Sequence, residues 1–286
     1  DNESLTMVYA DATKGWLSVE EGTGFLGETF ISATGGTITT SGDYKIHTFT
    51  GPGTFCVSKI SGVAANNTAD YLVVAGGGGA GRSCSNSSNG AGGAGGFRAS
   101  NDTCMSAPQT SPLAHSTGLT LTAQGYPITV GAGGTDAASS SQPAPGNQGS
   151  TSTFDSISSA GGGAGAGVSG PGSGTAGNGG SGGGAIRGQP AGSGNTPPVS
   201  PPQGNNGGTG IAGGPSFGGG GGGGAGAAGT NATPTTGGPG GIGSYMVSTG
   251  FAGCNGTTGP VSGARYFSGG GGGGSCASSS TPDKAT

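Results

Sequence analysis

The chain has 286 residues, of which 75 are glycine and 17 are proline, while only 36, about 13%, are Leu, Ile, Val or Phe. An enzyme-like side-chain core is excluded, because a chain usually needs roughly 20% of these residues to offset its ordering entropy. A formal net charge of −4 with eight basic residues argues against nucleic-acid binding, and no apolar run is long enough for membrane insertion.

The first 75 residues are richer in large apolar side chains than the rest, and their pattern predicts antiparallel β structure. We expect this small β region, residues 1–75, to serve attachment or assembly. No segment has helical periodicity, so we expect essentially no α-helix. Three patterns predict the strands: a hairpin of residues 4–9 and 16–19 around 11–15, a second hairpin of 44–49 and 54–60 around 50–53, and a buried strand at 71–75.

From Gly76 onward, glycine tracts alternate with polar loops that contain Ser, Thr, Asn, Gln and Pro. Glycine loses more backbone entropy on folding than any other residue, so ordered tracts need a packing that only glycine permits. Collagen is excluded because the run from Gly218 to Gly224 lacks a period of three. The remaining ordered arrangement is a set of left-handed, polyproline-II-like helices packed side by side, whose backbone groups hydrogen bond between helices. We therefore predict packed helices of this kind over residues 76–286.

The chain carries, in order, the segments Tyr9 to Trp16, Tyr71 to Gly79, Gly92 to Arg98, Ile128 to Gly134 and Tyr266 to Gly274. The last four resemble the glycine-rich domain of bacteriophage tail-fibre proteins, and the first resembles the stretch that precedes this domain. The resemblance implies a polyglycine-II sandwich whose connecting loops, at its far end, bind host surface receptors. This chain departs from the family pattern in its longer, Pro-rich loops and its five cysteines.

Catalytic motifs occur in the tracts but lack the context that chemistry requires. The G-x-S-x-G match centred on Ser181 has no preceding strand and following helix, which a nucleophile elbow needs. His47 and His115 have no clustered partner in the sequence, and no Asp or Glu between Ser156 and Pro282 is available for a repeated calcium site. We predict a non-enzymatic protein without cofactor or bound metal.

The five cysteines lack the C-x-x-C spacing of a zinc site. By spacing alone, Cys84 with Cys104, and Cys254 with Cys276, can each close a loop of about twenty residues. A disulfide closing such a loop stabilises a protein by about 3 kcal/mol. These two pairs are the candidate disulfides, and Cys56 has no assigned partner.

Aromatic residues outside the tracts are the candidates for receptor contact, because they supply large contact area at low entropic cost. Phe217, Tyr266 and Phe267 directly precede tracts and are expected to pack against the glycine layers. Tyr245 and Phe251 fall inside residues 244–263, which we interpret as an exposed loop, and are the predicted receptor contacts. The loops at 135–148, 186–203 and 230–236 are further candidates for the same end of the sandwich.

Two function hypotheses remain. The first is a bacteriophage tail-fibre or fibre-tip protein at the virion surface, whose loops bind a host-cell surface receptor, either an outer-membrane protein or a glycan. Its other partners would be virion fibre proteins and further copies of itself. The alternative is a non-viral extracellular structural protein, a subunit of a surface filament or wall matrix, in which the loops are spacers.

Overall fold

The protein is mainly β, and the part of the chain that the structure describes contains no α-helix. No helix among the described residues is long and apolar enough to cross a membrane. The computed structural model describes residues 7–11, 15–18, 30–42, 44–82, 88–102, 111–138, 144–167, 175–211, 217–247, 251–252 and 255–276.

Within the described ranges the strands are short and fall into seven small sheets. One 3-10 turn in these ranges, Ala64–Asn66, follows the sixth strand. In chain order the strands are β1 Met7–Asp11, β2 Gly15–Ser18, β3 Ser32–Thr34, β4 Thr37–Ser41, β5 Tyr44–Thr48, β6 Gly53–Lys59, β7 Thr68–Ala69, β8 Leu72–Val74, β9 Phe97–Ser100, β10 Ala114–His115, β11 Leu119–Thr120, β12 Gly125–Thr129, β13 Ser152–Phe154, β14 Ile157–Ser159, β15 Phe217–Gly218, β16 Ser244–Val247, β17 Thr257–Thr258, β18 Ala264–Phe267 and β19 Ser275–Cys276.

The first predicted hairpin is confirmed, but the predicted partner of the second is wrong. β1 pairs antiparallel with β2, and the predicted strand at 71–75 is present as β8. β5 pairs with β4 through a turn at Gly42, where φ is +56°, and does not pair with β6. β6 instead lies between β3 and β12, because Phe55 and Val57 alternate into a core that those two strands complete.

The largest sheet has the order β14-β13-β12-β6-β3 and joins strands from both sides of residue 75. Its core consists of Ala33, Phe55, Val57, Leu121 and Tyr126, all buried. The rings of Phe55 and Tyr126 lie 6.2 Å apart, and both pack against a third ring, Phe154, at about the same separation of centroids. This part of the molecule is therefore held by an ordinary side-chain core.

The glycine-rich segments are held together in another way, by backbone hydrogen bonds between segments that recur every third residue. Residues 75–82 show the pattern. Taking every third residue divides the segment into three rows, and the N–H groups of two rows donate to two different antiparallel neighbours. Their carbonyls accept from two further segments. The donors and acceptors of the two rows are Ala75 to Gly96, Gly78 to Gly93 and Gly81 to Gly90, and Gly76 to Ser150, Gly79 to Asn147 and Arg82 to Ala144.

Residues 218–224, which we call the central tract, are surrounded on all sides by other backbone. They exchange hydrogen bonds with six segments, residues 88–96, 181–186, 203–211, 227–233, 237–243 and 268–274. Any side chain here would meet a neighbouring main chain. A Cβ built on Gly220 would lie 1.9 Å from the oxygen of Gly208, one on Gly221 2.0 Å from that of Pro239, and one on Gly222 2.0 Å from that of Gly92.

Segments at the periphery need glycine only on their inner row. In residues 144–150, a Cβ on Gly146 or Gly149 would lie 2.2 or 2.0 Å from a backbone oxygen of residues 76–79. Asn147, Gln148 and Ser150, between and after these glycines, are exposed. The number of backbone neighbours thus explains why the central tract is uninterrupted glycine while outer segments carry polar side chains.

The pairing also fixes which connections lie at the same end of the glycine segments. We call one end the strand end, because the sheets that contain β6, β8 and β16 join it there, and the opposite end, which carries only the short β15–β19 pair among the described strands, the turn end. Residues 75, 96, 150, 160, 243 and 268 lie at the strand end, and residues 82, 137, 166, 186, 211, 218, 233 and 274 lie at the turn end.

Candidate functional site

The turn end is the first candidate site, because it gathers connections from several separate parts of the chain. Residues 187–190 and 233–236 both lie there, as do residues 137 and 144, which flank the tip of the predicted loop 135–148. The segment 186–203 is not one loop: it turns at 187–190, returns as 191–196, and brings its Pro-rich part to the strand end. The three predicted loops therefore do share one end, although only the first few residues of 186–203 belong to it.

The two described turns are shaped by local hydrogen bonds and by residues with positive φ. Thr233 donates its N–H to the carbonyl of Thr236 at 3.0 Å, and the two hydroxyls lie 2.6 Å apart. At the other turn, Arg187 has φ +55° and Gly188 has φ +69°, which places the Arg187 side chain in an exposed position. Four consecutive exposed residues, 233–236, and an exposed cation are thus presented on ordered backbone.

The turn end also has a small buried support. Ala166, Ala176, Ala185 and Ile186 form a cluster in which Ile186 and Ala185 are fully buried. Ile186 immediately precedes the turn that carries Arg187. This packing anchors the turn on the glycine segments, so its position does not depend on loop contacts alone.

The predicted receptor contacts Tyr245 and Phe251 lie at the strand end. The segment 244–263 that we interpreted as a loop contains two strands, β16 and β17, both paired with β18. Tyr245 is half-buried in β16, and its ring lies 5.1 Å from the ring of Tyr266. Phe251 is half-buried and packs against a core of Phe97, Ala99, Ala225, Met246 and Ala252. Their role in receptor contact stays a prediction.

Of the three aromatic residues expected to pack against the glycine layers, two contact other side chains. Phe267 packs on the Met246 core, and Tyr266 stacks on Tyr245. Phe217 is half-buried in β15, which pairs with β19.

Gln203 ties the Pro-rich residues to the sheets and was not singled out by the sequence. Its side chain is fully buried; the amide nitrogen donates to the carbonyl of Pro197 at 2.8 Å, and the amide oxygen accepts from the N–H of Ala160 at 2.8 Å. Its backbone oxygen accepts from Phe97 at 2.9 Å. Gln203 therefore orders the 194–203 connection at the strand end. Only its place among prolines, where a buried amide would be useful, could have hinted at this.

A shallow cleft at the strand end contains Tyr71, Arg98 and His115, with Ser200 on its rim. Burial, the largest cause, raises the pKa of Tyr71 above the ordinary value of 10.0, against the opposing effect of Arg98, which hydrogen bonds to it. The Nδ1 atom of His115 lies 2.8 Å from the hydroxyl of Thr117. His115 is therefore engaged locally, by Thr117.

The remaining sequence candidates carry no site chemistry that the structure describes. His47 approaches the carbonyl of Gly35 at 2.8 Å and packs edge-on against Phe55. Among the described residues no group of three His, Cys, Asp or Glu side chains is placed to hold a metal ion. Cys56 is free and exposed. Cys84, Cys104, Cys254 and the side chain of Cys276 lie outside the described residues, so both disulfide pairs stay predictions.

Comparison with known proteins gives one match. A family model described as a glycine-rich domain matches residues 48–286, which include the central tract and every segment bonded to it. The chain has no significant match among curated proteins or solved structures.

Proposed function

Because the chain belongs to the glycine-rich domain family, we propose that it is a surface fibre-tip protein of a bacteriophage tail. In this proposal a polyglycine-II sandwich displays receptor-binding turns at its turn end. The observation that carries the proposal is the three-residue recurrence of hydrogen bonds between segments.

Three residues per turn is the period of a polyproline-II-type helix, which satisfies none of its backbone groups internally. Each such helix has three rows of residues along its length, and in a packed array each row forms hydrogen bonds with a different neighbour. A helix in the middle of such an array has six neighbours, and the central tract has six. The missing side chains along residues 218–224 supply the close approach that the arrangement needs.

The two ends of the array favour different roles. The strand end continues into sheets with side-chain cores, which suits attachment to other fibre proteins or to further copies of the chain. The turn end presents exposed polar residues on connections whose backbone is fixed by the array. Binding residues are commonly carried by loops positioned on a rigid scaffold, so the host receptor, an outer-membrane protein or a glycan, would be bound there.

The proposal is tested with fluorescently labelled full-length protein on a panel of intact bacterial strains. We expect saturable binding to some strains and protection of those strains from a phage that carries the protein. Replacing residues 233–236 and 187–190 with turns of equal length should abolish binding. A matched replacement of the β13–β14 turn, Asp155-Ser156, should leave it unchanged.

Two outcomes would contradict the proposal. Loss of binding only in the β13–β14 turn variant would move the receptor site to the strand end, where Tyr245 and Phe251 lie. Binding to no strain, together with assembly of the purified protein into filaments, would favour the alternative of a filament or matrix subunit.

A further inference from the structure

A second open cleft, of about 390 Å³, lies between the β3–β4 connection and the β5–β6 connection. It is far from the turn end in the chain's architecture, because these strands belong to the sheets beyond the strand end. The residues that line it are Gly35, Gly36, Thr37, Thr48, Phe49, Thr50, Gly51, Pro52, Gly53 and Thr54.

The ring of Phe49 borders this cleft and is framed by glycines. A Cβ added at Gly35, Gly36 or Gly53 would lie 3.3, 3.1 or 3.2 Å from ring carbons of Phe49. Gly35 and Gly36 also have φ of +106° and +64°, a conformation that disfavours any side chain there. Phe49 is half-buried and packs against the core around Phe55. The core therefore holds the ring from behind, glycine main chain lies close to its edges, and the part of Phe49 that borders the cleft is left open.

Four threonines line the cleft beside the ring, Thr37, Thr48, Thr50 and Thr54. Among the described residues, the lining contains no charged side chain. The lining thus offers an apolar ring and several neutral donor and acceptor groups.

We propose that this cleft binds a neutral saccharide. The C–H groups of a sugar ring carry slight positive charge and pack on the negative face of an aromatic ring, while sugar hydroxyls exchange hydrogen bonds with threonine hydroxyls. The absence of charge in the lining disfavours anions, cations and acidic sugars, whose desolvation would go uncompensated. The cavity volume is within the range of small-molecule sites, about 300–1,000 Å³. This inference does not depend on the proposed function of the turn end.

The test is saturation-transfer NMR on the full-length protein with the methyl glycosides of glucose, galactose, mannose and N-acetylglucosamine, and with glucuronate as the charged comparison. We expect at least one neutral glycoside to bind with a dissociation constant in about the millimolar range, as suits a single sugar in an open site. In spectra of ¹³C-methyl-labelled threonine, shifts should be confined to the four threonines of the cleft.

Two isosteric variants, Thr37→Val and Thr50→Val, should each weaken binding by about fivefold, the effect of one lost hydrogen bond. Thr40→Val is the matched control, because Thr40 is exposed on the same hairpin but does not line the cleft. Phe49→Leu, which keeps the packing against the core, should reduce binding further while the methyl spectrum shows the fold intact. The inference is overturned if no neutral glycoside binds at about 100 mM, or if glucuronate binds equally well. It is also overturned if Thr40→Val weakens binding as much as the cleft variants do.

Discussion

The sheet around Phe55 and the array around the central tract are stabilised in opposite ways, the sheet by packed side chains and the array by main-chain hydrogen bonds. In the sheet, Phe55, Val57 and Tyr126 remove apolar side chains from water, and backbone bonds run only to strands on either side. In the array, residues 218–224 have no side chains, and their backbone bonds run to six segments. The difference teaches that tolerance to substitution depends on whether side chains or main chain fill the interior. A side-chain core can repack around a change, whereas an array of main chains has nothing that can move aside.

The largest expected effect is that of a methyl group in the central tract. Gly222→Ala places a Cβ 2.0 Å from the oxygen of Gly92, and relieving that overlap requires parting two bonded segments. We expect a loss of more than about 4 kcal/mol in the free energy of unfolding, or failure to fold, measured by denaturant unfolding.

Gly269→Ala is the matched control in an edge segment, because its Cβ would meet nothing closer than 3.8 Å. That variant should change stability by less than about 1 kcal/mol, since alanine also restricts the unfolded chain. Equal losses in the two variants would contradict the steric account of the central tract.

The next effect belongs to the sheet. Phe55→Ala removes a ring that contacts Tyr126 and Phe154 and should cost about 3–5 kcal/mol. Phe55→Leu should cost clearly less, because the core can repack around leucine. If the two substitutions are equally severe, the side-chain core is no more adaptable than the array, and the contrast between them fails. Chemical denaturation of both variants measures this.

A smaller effect is expected at Gln203, where the two kinds of structure meet. Gln203→Leu leaves the buried N–H of Ala160 without its side-chain partner and removes the bond to the carbonyl of Pro197, an exposed residue. One unsatisfied buried group should cost about 1–3 kcal/mol. Gln148→Leu, in an exposed position, should stay within about 0.5 kcal/mol. A neutral Gln203→Leu would show that the 194–203 connection is ordered without this amide.

The smallest effect concerns pH. Because burial raises the pKa of Tyr71, the folded state holds the phenol proton more tightly than the unfolded state does. The contribution of Tyr71 to stability is therefore complete below pH 10 and declines as the pH rises above 10.0 through the folded-state pKa. When the free energy of unfolding is plotted against pH, the curves of the wild type and of Tyr71→Phe should run parallel below pH 10 and converge above it. Curves that stay parallel at every pH would show that Tyr71 titrates as it does in the unfolded chain.

Composition predicts the mainly β character and the absence of α-helix, because glycine tracts and β-branched runs leave no helical period. It also predicts the strand at 71–75 and the first hairpin, where a local turn joins adjacent strands. The pairing of β6 with β12 is not predictable from local signals, since its partners lie about seventy residues apart and meet through the alternation of Phe55 and Val57. A related limit explains why 244–263 was interpreted as a loop: the residues between β16 and β18 include the turn signals Asn255-Gly256 and Gly259-Pro260, and the pairing of β16 and β17 with β18 spans them.

Of the candidate site, the alternation of tracts and loops made the segments 135–148, 186–203 and 230–236 candidates for one end, but it did not reveal that 186–203 reaches both ends. The position of Tyr245 and Phe251 was not foreseeable, because whether a segment reaches the strand end or the turn end depends on counting every reversal of the chain. The roles of Gln203 and of the uncovered ring of Phe49 depend on contacts between distant segments, which no single tract or loop reveals.

The central claim is that main chain bonded to main chain replaces a side-chain core in the glycine segments. Amide hydrogen exchange of residues 218–224 in the intact protein tests it most directly. If the claim holds, amides such as that of Gly222, which donates to Gly271 at 2.9 Å, exchange as slowly as those of β6 and β12. Exchange of these glycine amides at the rate of an unstructured chain, while the β6 amides stay protected, would contradict it.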